Sequence, residues 1–150
     1  MRIALFEPEI AGNVGAVLRL GACLGVPVDL IEPLGFAWDD ARVRRTAMDY
    51  NDHVSITRHR DWPAFHASIG DARLVLLTTK GSISAYDFAF RPNDVLLFGK
   101  ESAGAPPHVH AACEGRIRLP MKRDVRSLNL AMSAGLAVGE ALRQTGGLPG

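Results

Sequence analysis

The sequence predicts an α/β fold, a single domain with a mostly parallel sheet flanked by helices. Short runs of strand-forming apolar residues alternate along the chain with segments whose apolar residues recur at helical spacing. Two of these runs, residues 74–78 and 95–98, begin with four consecutive apolar residues, as expected of strands covered on both faces. Such alternation is typical of parallel sheets with helices on both sides. A length of 150 residues fits one domain, residues 1–150, with a sizeable core.

Six strands are predicted from runs of apolar and β-branched residues. In chain order they cover residues 3–6, 28–31, 54–57, 74–78, 95–98 and 117–119. Because the carboxyl ends of parallel strands meet at one edge of the sheet, we expect a ligand to bind in the loops that follow them.

Helices are predicted between these strands. Residues 39–47 and 62–69 are predicted as short helices, and Pro106 and Pro107 favour another, because proline is tolerated in a first helical turn. The first helix carries an apolar stripe at helical spacing, made of Val14, Val17, Leu18, Gly21 and Leu24.

The last helix is predicted over residues 127–144 and is ended by two glycines. Its small residues Ala131, Gly135 and Gly139 recur every four positions along one side. A glycine within a helix costs about 0.5–1 kcal/mol relative to alanine, so two of them indicate a close approach. Either a helix of a second subunit or the protein's own sheet makes that approach, and the sequence favours neither.

Composition excludes several classes of protein. The formal net charge of +1 is too small for a protein that coats nucleic acid through bulk charge. The longest apolar runs are far below the ~18 residues of a membrane span. The N-terminus turns acidic after six residues, unlike a secretory signal or transit peptide, so we expect a cytoplasmic protein.

The cysteines and histidines do not indicate a metal site. Cys23 and Cys113 form no Cys-x-x-Cys pair. His108 and His110 are expected to be exposed in a loop and have no third ligand at a convincing spacing. We therefore expect neither a bound metal nor a disulfide.

Three local clusters of basic residues are candidate contacts with nucleic acid. Each cluster taken alone is more typical of a solvated surface. Their members are Arg42, Arg44 and Arg45; Arg58, His59 and Arg60; and Lys122, Arg123 and Arg126.

The first loop of interest is EPEIAGNVGAVLR, residues 7–19. Gly12 and Gly15 would let the backbone bend around a ligand, and the start of the following helix favours an anion. Asn13 can position a group while Arg19, about one turn further on, grips a phosphate. Glu32 stands where Rossmann folds place a ribose-binding acid, but the loop lacks the full G-x-G-x-x-G pattern.

The second loop follows the strand in VLLFGKESAGAP, residues 95–106. It does not have the spacing of a nucleotide P-loop. Gly99 and Gly104 would let a ligand lie against bare backbone. Glu101 either accepts hydrogen bonds from a ligand or ties down the loop itself.

The third loop lies in RIRLPMKRDVRSLNLAMSAG, residues 116–135. Leu119 and Pro120 close a strand, and a basic segment follows. Ser127 is a natural N-cap for the last helix. Asn129 is then expected inside the first helical turn, where it could address a ligand.

Together the three loops resemble the motifs of the SPOUT methyltransferases, which modify RNA. The first match is N-x-G-x-x-x-R at Asn13, Gly15 and Arg19, followed by LLFGKESAG and then by IRLPM and RSLNLAMSAGLAVGEALRQ. Residues 32–50, EPLGFAWDDARVRRTAMDY, and residues 77–81, LTTKG, look like the TrmL group, which methylates the 2'-hydroxyl of the wobble nucleotide of tRNA. The resemblance covers nearly the whole chain.

The resemblance implies a fold, a cofactor and partners. It implies an α/β domain with a deep C-terminal trefoil knot, and a homodimer with the first and last helices at the interface. The implied cofactor, S-adenosylmethionine, would bind in a bent conformation within the knot. The implied substrate is tRNA, methylated at cytidine or modified uridine 34, and the basic clusters become candidate tRNA surfaces.

The resemblance also implies roles for single residues. It gives Arg19 as the catalytic residue and Asn13 as its polar neighbour. Since the pKa of a guanidinium lies above about 12, we expect Arg19 to clamp a phosphate and align the ribose rather than to act as a base. Cofactor binding is implied for Leu77, Gly99, Leu119 and Ser127, and from the same motifs for Glu101, Gly104 and Leu128.

Other functions stay open at this stage. The protein could methylate the 2'-hydroxyl at another position of tRNA or rRNA, or could bind RNA without catalysis. A third possibility is a dinucleotide-dependent oxidoreductase, which would use Gly12, Gly15 and Glu32.

Overall fold

The computed structural model describes residues 1–46, 54–125 and 127–150 of the chain. The seven strands within these residues are β1 Arg2–Phe6, β2 Val28–Ile31, β3 Ile56–His59, β4 Leu74–Leu77, β5 Ile83–Ser84, β6 Val95–Phe98 and β7 Gly115–Arg118. The five helices are α1 Ala11–Leu24, α2 Asp40–Thr46, α3 Trp62–Ser68, α4 Pro107–Ala112 and α5 Leu130–Thr145.

The strands form one parallel sheet in the order β3-β2-β1-β6-β4-β7-β5. β6 lies between β1 and β4, and β4 lies between β6 and β7. The carboxyl ends of these four strands are therefore neighbours at one edge of the sheet. The predicted α/β class with a parallel sheet and flanking helices is confirmed.

Alternate residues of each strand face opposite layers of helices. Ile3 and Leu5 of β1 pack in one core with the apolar stripes of α1 and α5. Ala4 and Phe6 pack in a second core on the other face, with Phe65 of α3. Both faces of the sheet are thus buried, which explains the continuously apolar strands β4 and β6.

Glycines end the two long helices. α1 is followed by Gly25 at φ +68°, and α5 is followed by Gly146 at φ +70°. This left-handed conformation is the one that favours glycine at a helix C-terminus. The predicted end of the last helix is confirmed.

Three strands differ from the prediction by more than one residue. β7 begins at Gly115 rather than at residue 117. β3 begins at Ile56 rather than at residue 54, and it includes His59, whose buried ring bonds a carboxylate on β2. β5 was not predicted. It has only two residues, and its Ile83 is largely exposed at the edge of the sheet, so no apolar periodicity marks it.

Two helical features also differ. α5 begins at Leu130 with Asn129 as its N-cap, so the predicted start at Ser127 is wrong. His108 and His110 lie in α4 rather than in a loop. The last predicted residue of the second helix, residue 47, lies outside the described residues.

Within the described ranges, no helix is long and apolar enough to cross a membrane. The C-terminal knot stays a prediction.

Candidate cofactor-binding and active site

A cavity of about 570 Å³ opens beyond the carboxyl ends of β4, β6 and β7. The strand ends contribute apolar side chains from Leu77, Phe98 and Leu119. Residues 99–105 after β6 and residues 127–129 before α5 supply much of the remaining lining. Its place agrees with the rule that open parallel sheets bind ligands beyond their strand ends.

Every predicted site residue except Arg19 lines this cavity. The three loops, distant in sequence, are therefore brought together as the motifs predicted. The lining includes Asn13, Leu77, Gly99, Glu101, Gly104, Leu119, Ser127 and Leu128.

The loop after β6 folds back on itself in a tight turn. The backbone N–H of Lys100 donates to the carbonyl of Gly104 at 3.1 Å, and the N–H of Gly104 donates back at 2.9 Å. A Cβ on Gly99 would lie 2.4 Å from the carbonyl carbon of Gly104. The loop's own backbone, rather than a ligand, thus occupies the space of the missing Gly99 side chain. Gly104, at φ +67°, has open space at its Cβ position.

The Glu101 carboxylate caps the start of α1. It accepts hydrogen bonds from the backbone N–H of Glu9 at 3.1 Å and of Ile10 at 2.7 Å. It also accepts a longer bond, 3.5 Å, from the amide of Asn13. The N-cap residue Ile10 has no capping side chain of its own, so Glu101 takes that role from a distant loop. Of the two interpretations left open for Glu101, the structure shows the one in which it ties down the loop.

The carboxylate of Glu9 makes the reciprocal contact, with the loop after β6. The backbone N–H of Ser102 donates to the Glu9 carboxylate at 3.0 Å, and the Ser102 hydroxyl donates at 2.7 Å. The pKa of Glu9 is lowered, chiefly by the bond from the Ser102 hydroxyl and next by the backbone bond. We call this reciprocal pair, Glu9 and Glu101, the carboxylate clasp. It joins the first two loops at one wall of the cavity.

Asn13 connects α1 to the start of α5. Its Oδ1 accepts a hydrogen bond of 3.0 Å from the side-chain amide of Asn129. Asn129 in turn caps α5 through bonds from the N–H groups of Ala131 and Met132. The predicted place of Asn129 inside the first helical turn is therefore wrong, although Asn129 does line the cavity. Ser127, predicted as the cap, instead lines the cavity without capping.

Arg19 is the exception among the predicted residues. It lies exposed on α1, outside the set of residues that line the cavity of its own chain. Four residues earlier, Gly15 is buried where the helix packs into the core. The structure therefore separates Arg19 from the residues expected to bind the cofactor.

The residues that suggested a dinucleotide-dependent oxidoreductase do not form a dinucleotide-binding site. The carboxylate of Glu32 forms an ion pair with Arg58 instead of facing the main cavity. Gly12 and Gly15 line a separate cavity of about 60 Å³. Ligand sites for small molecules usually measure about 300–1,000 Å³, so this space is too small for a dinucleotide.

The cluster of Arg58, His59 and Arg60 is used mainly within the fold. Arg58 pairs with Glu32 as described, and its guanidinium lies over the ring of Trp38. His59 is buried and bonds the buried Asp29 at 2.7 Å. Arg60 is largely exposed, with 85% of its side chain accessible. This cluster does not form a continuous basic surface.

The other two clusters are only partly described. Arg42 and Arg45 lie on α2, where the Arg44 side chain is outside the described residues. Lys122 and Arg123 are exposed in the segment between β7 and α5, and Arg126 lies outside the described residues. Their contact with RNA stays a prediction.

Among the further residues that line the cavity, sequence reasoning gave no site role to Lys80 and His110. The pKa of His110 is lowered, first by burial and then by the positive charges of Lys80 and Arg116. LTTKG marked Lys80 only as part of a motif, and no pattern in the sequence indicated that α4 turns His110 toward the cavity. In the described part of the chain, no group of three or more His, Cys, Asp or Glu is arranged to hold a metal ion.

The small-residue side of α5 is open in the described chain. A Cβ on Gly135 or Gly139 would meet nothing within 4 Å. Met132 and Leu136 on the same helix are 64% and 47% exposed. Close packing of Gly135 and Gly139 on the protein's own sheet, one of the two alternatives, is therefore wrong.

The fold and the cavity define a class of protein. A seven-stranded parallel sheet carries a cavity that is formed by a glycine-containing turn and by the loop before the last helix, and residues from all three methyltransferase motifs line it. The chain belongs to the SpoU rRNA methylase family, whose model matches residues 1–139. It is therefore a methyltransferase, and the resemblance stated from the motifs is confirmed.

Relatives with assigned functions include enzymes that methylate tRNA. The chain is 49% identical over 148 residues to a tRNA (cytidine(34)-2'-O)-methyltransferase of Beijerinckia indica, covering 97% of this chain and 92% of that protein. It is 43% identical to the enzyme of the same name from Escherichia coli K12, covering 97% and 94%.

Solved structures show the same fold. One, from work on the 2'-hydroxyl methylation of C/U34 on tRNA, superposes with a TM-score of 0.90 at 41% identity, covering 95% of this chain and 94% of that one. A more distant neighbour is an rRNA methyltransferase from Sinorhizobium meliloti with bound S-adenosylmethionine. It superposes with a TM-score of 0.86 at 24% identity and covers 95% of this chain and 55% of that one.

Proposed function

We propose that the protein transfers a methyl group from S-adenosylmethionine to the 2'-hydroxyl of nucleotide 34, the wobble position of tRNA. The target base is a cytidine or a modified uridine. The observation that carries the proposal is the cavity beyond β4, β6 and β7, because it gathers motif residues from three separate loops. The names of the relatives from Beijerinckia and Escherichia support nucleotide 34 as the target.

The cavity fits S-adenosylmethionine in size and chemistry. Its volume of about 570 Å³ lies within the usual range for ligands of this size. Leu77 and Leu119 offer apolar side chains that suit a purine ring, and Gly104 leaves its backbone open. When bound there, the cofactor would supply an electrophilic methyl group for the ribose oxygen, and S-adenosylhomocysteine and a proton would be the other products.

Several residues that line the cavity would bind the cofactor. Leu77, Gly99, Leu119, Ser127 and Leu128 would hold the cofactor through apolar contacts and backbone groups. Gly104 would let the cofactor approach the loop after β6. These assignments remain proposals.

Two motif residues would act by positioning. Glu101 fixes the loop after β6 against the start of α1, as the clasp shows. Asn13 lies on the cavity wall between Glu101 and Asn129, and it would orient the ribose. Methyl transfer depends on in-line placement of the nucleophile. Such positioning would therefore lower the activation free energy by several kcal/mol.

Arg19 would clamp the phosphate next to the target ribose. A guanidinium binds phosphate through two parallel N–H bonds, which fixes the sugar in orientation as well as in position. Because Arg19 lies outside the cavity of its own chain, we propose that it serves the cavity of a partner subunit.

A homodimer would provide that partner. The open face of α5, with Met132, Leu136 and the two glycines, is the surface that a second copy would cover. α1 packs beside α5 in the same core, so the surface of α1 would lie near such an interface. A tRNA substrate also agrees with the cytoplasmic location expected from the N-terminus, which stays a prediction.

Methylation of defined tRNAs tests the proposal. Purified protein is incubated with labelled S-adenosylmethionine and unmodified tRNA transcripts, and the methylated nucleotide is mapped. Label on the 2'-oxygen of nucleotide 34 is expected. Label at another position would favour methylation elsewhere in tRNA, and RNA binding without label would favour a non-catalytic binder.

A further inference from the structure

Two arginines lie two residues apart on β7, the strand between β4 and the edge strand β5. β7 alternates buried and exposed residues, so Arg116 and Arg118 point to the same exposed face. Lys80 lies on the same side of the cavity, because it lines the cavity together with His110, whose backbone carbonyl contacts Arg116. We call Lys80, Arg116 and Arg118 the basic edge.

The cations of the basic edge have no carboxylate partner among the described residues. This distinguishes them from other arginines of the sheet, since Arg2 pairs with Asp29 at 2.6 Å and Arg73 pairs with Asp94 at 2.7 Å. Three exposed positive charges therefore remain uncompensated by an ion pair at one side of the cavity.

Backbone carbonyls hold the two guanidinium groups in place. The Nε of Arg116 donates to the carbonyl of His110 at 3.1 Å. One terminal nitrogen of Arg118 donates to the carbonyl of Ser82 at 3.2 Å. Each group uses one donor in this way and keeps its others for a ligand. A guanidinium oriented in advance loses less entropy when it binds a phosphate.

An exposed aromatic side chain, that of Tyr86, follows the strand β5, which pairs with β7. Ser84 pairs in register with Arg118, and Tyr86 follows two residues later with half of its surface exposed. Basic groups that bind a phosphate backbone, together with an aromatic face on which a base can stack, are the usual features of single-stranded RNA recognition.

We propose that the basic edge binds the sugar–phosphate backbone of the RNA substrate next to the methylated nucleotide, with Tyr86 available to a flanking base. This inference rests on the proposed function for the identity of the RNA. It differs from the three clusters expected from the sequence, because Lys80 and Arg116 are 36 positions apart and meet only in the fold.

The experiment compares the double variant Arg116→Gln and Arg118→Gln with wild type. The matched control is Arg91→Gln, an exposed arginine that precedes β6 and belongs to none of the candidate RNA-binding clusters. Lys80 is left unchanged because it lines the cavity. Affinity for unmodified tRNA is measured over a range of salt concentrations, and affinity for S-adenosylhomocysteine is measured separately.

We expect the double variant to bind tRNA roughly tenfold more weakly at low salt, with a salt dependence shallower by about one unit for each phosphate that is no longer neutralised. The control variant should bind tRNA as wild type does. Affinity for S-adenosylhomocysteine should not change in either. If the double variant also loses affinity for S-adenosylhomocysteine, a second variant with Arg116→Lys and Arg118→Lys is measured. Restored tRNA binding in that variant supports the inference, and unrestored tRNA binding overturns it.

The two proposals fail in different ways. If wild type methylates nucleotide 34 and the double variant keeps the affinity and salt dependence of wild type, the basic edge is overturned and the proposed function stands. If wild type binds tRNA through the basic edge but transfers no methyl group, the proposed function fails and the binding surface stands. Wild type that binds no tRNA overturns both.

Discussion

The side-chain amide of Asn129 donates a hydrogen bond of 3.0 Å to the Oδ1 of Asn13. This bond joins the start of α5 to the first turn of α1 at the wall of the cavity. Asn129 also caps α5 with its own oxygen. One side chain therefore stabilises a helix and orients a proposed active-site residue, and substitutions can separate the two roles.

The variant Asn129→Asp keeps the capping oxygen and loses the donor to Asn13. Since aspartate is an equally good N-cap, we expect little change in the free energy of unfolding. We expect kcat to fall about tenfold, as for a lost hydrogen bond of about 1.4 kcal/mol, because Asn13 is no longer oriented. In Asn129→Ala the free energy of unfolding should also fall, by about 1 kcal/mol. Equal activity in wild type and Asn129→Asp would show that the bond has no role in catalysis.

Replacing Glu101 by glutamine should weaken the start of α1. The amide offers one acceptor oxygen in place of two and removes the negative charge that favours a helix N-terminus. We expect the free energy of unfolding to fall by about 1–2 kcal/mol, with weaker binding of S-adenosylhomocysteine because the loop after β6 loosens. Urea denaturation and calorimetry measure the two effects. Glu114→Gln, at an exposed position, is the control, and a similar loss there would argue against a specific capping role.

Arg19→Ala should cause most of the methyl-transfer activity to be lost and should largely preserve cofactor binding. Arg19 lies outside the cavity of its own chain, so its side chain is not expected to contact a cofactor held there. Misalignment of the ribose should slow transfer roughly a hundredfold or more. Labelled methyl transfer and calorimetry with S-adenosylhomocysteine test the two halves. Loss of cofactor binding along with activity would contradict the role as a phosphate clamp.

Leu136→Asp should break the proposed dimer. An unpaired carboxylate buried in an apolar interface costs several kcal/mol, so the molecular mass in solution should fall to that of one chain. Leu148→Asp is the matched control, since Leu148 is also exposed but lies beyond the end of α5. Light scattering after gel filtration gives the mass. A wild-type protein with the mass of a single chain would itself refute the dimer.

The two cysteines should differ in reactivity. Burial raises the pKa of Cys113 to about 12, and its thiol donates to the carbonyl of Val109 at 3.1 Å. Cys23 is exposed. Because the thiolate is the reactive species, a thiol reagent at pH 8 should label one cysteine in the native protein and two after denaturation. The variant Cys23→Ser should then show no rapid labelling. Fast reaction of Cys113 in that variant would contradict its burial.

The sequence predicted features that depend on local patterns. The continuously apolar strands β4 and β6, the glycine after α5 and the gathering of three loops at one edge all follow from periodicity and strand direction. These features define the class of fold and the position of the cavity. The motif resemblance then supplied the roles that periodicity does not give.

The features that were missed depend on contacts distant in sequence. Ser127 and Asn129 are both good capping residues, and the bond to Asn13 is part of what favours Asn129 in the fold. His59 resembles a surface residue until its bond to the buried Asp29 is seen. The basic edge likewise exists only once β4 and β7 are paired.

The most direct test of the proposed function is a crystal structure with S-adenosylhomocysteine bound. We predict that its adenine lies between Leu77 and Leu119, with the loop of Gly99 and Gly104 around the ligand and the sulfur directed toward Asn13. A ligand bound elsewhere on the chain, or no binding at concentrations that saturate related methyltransferases, would contradict the proposed function.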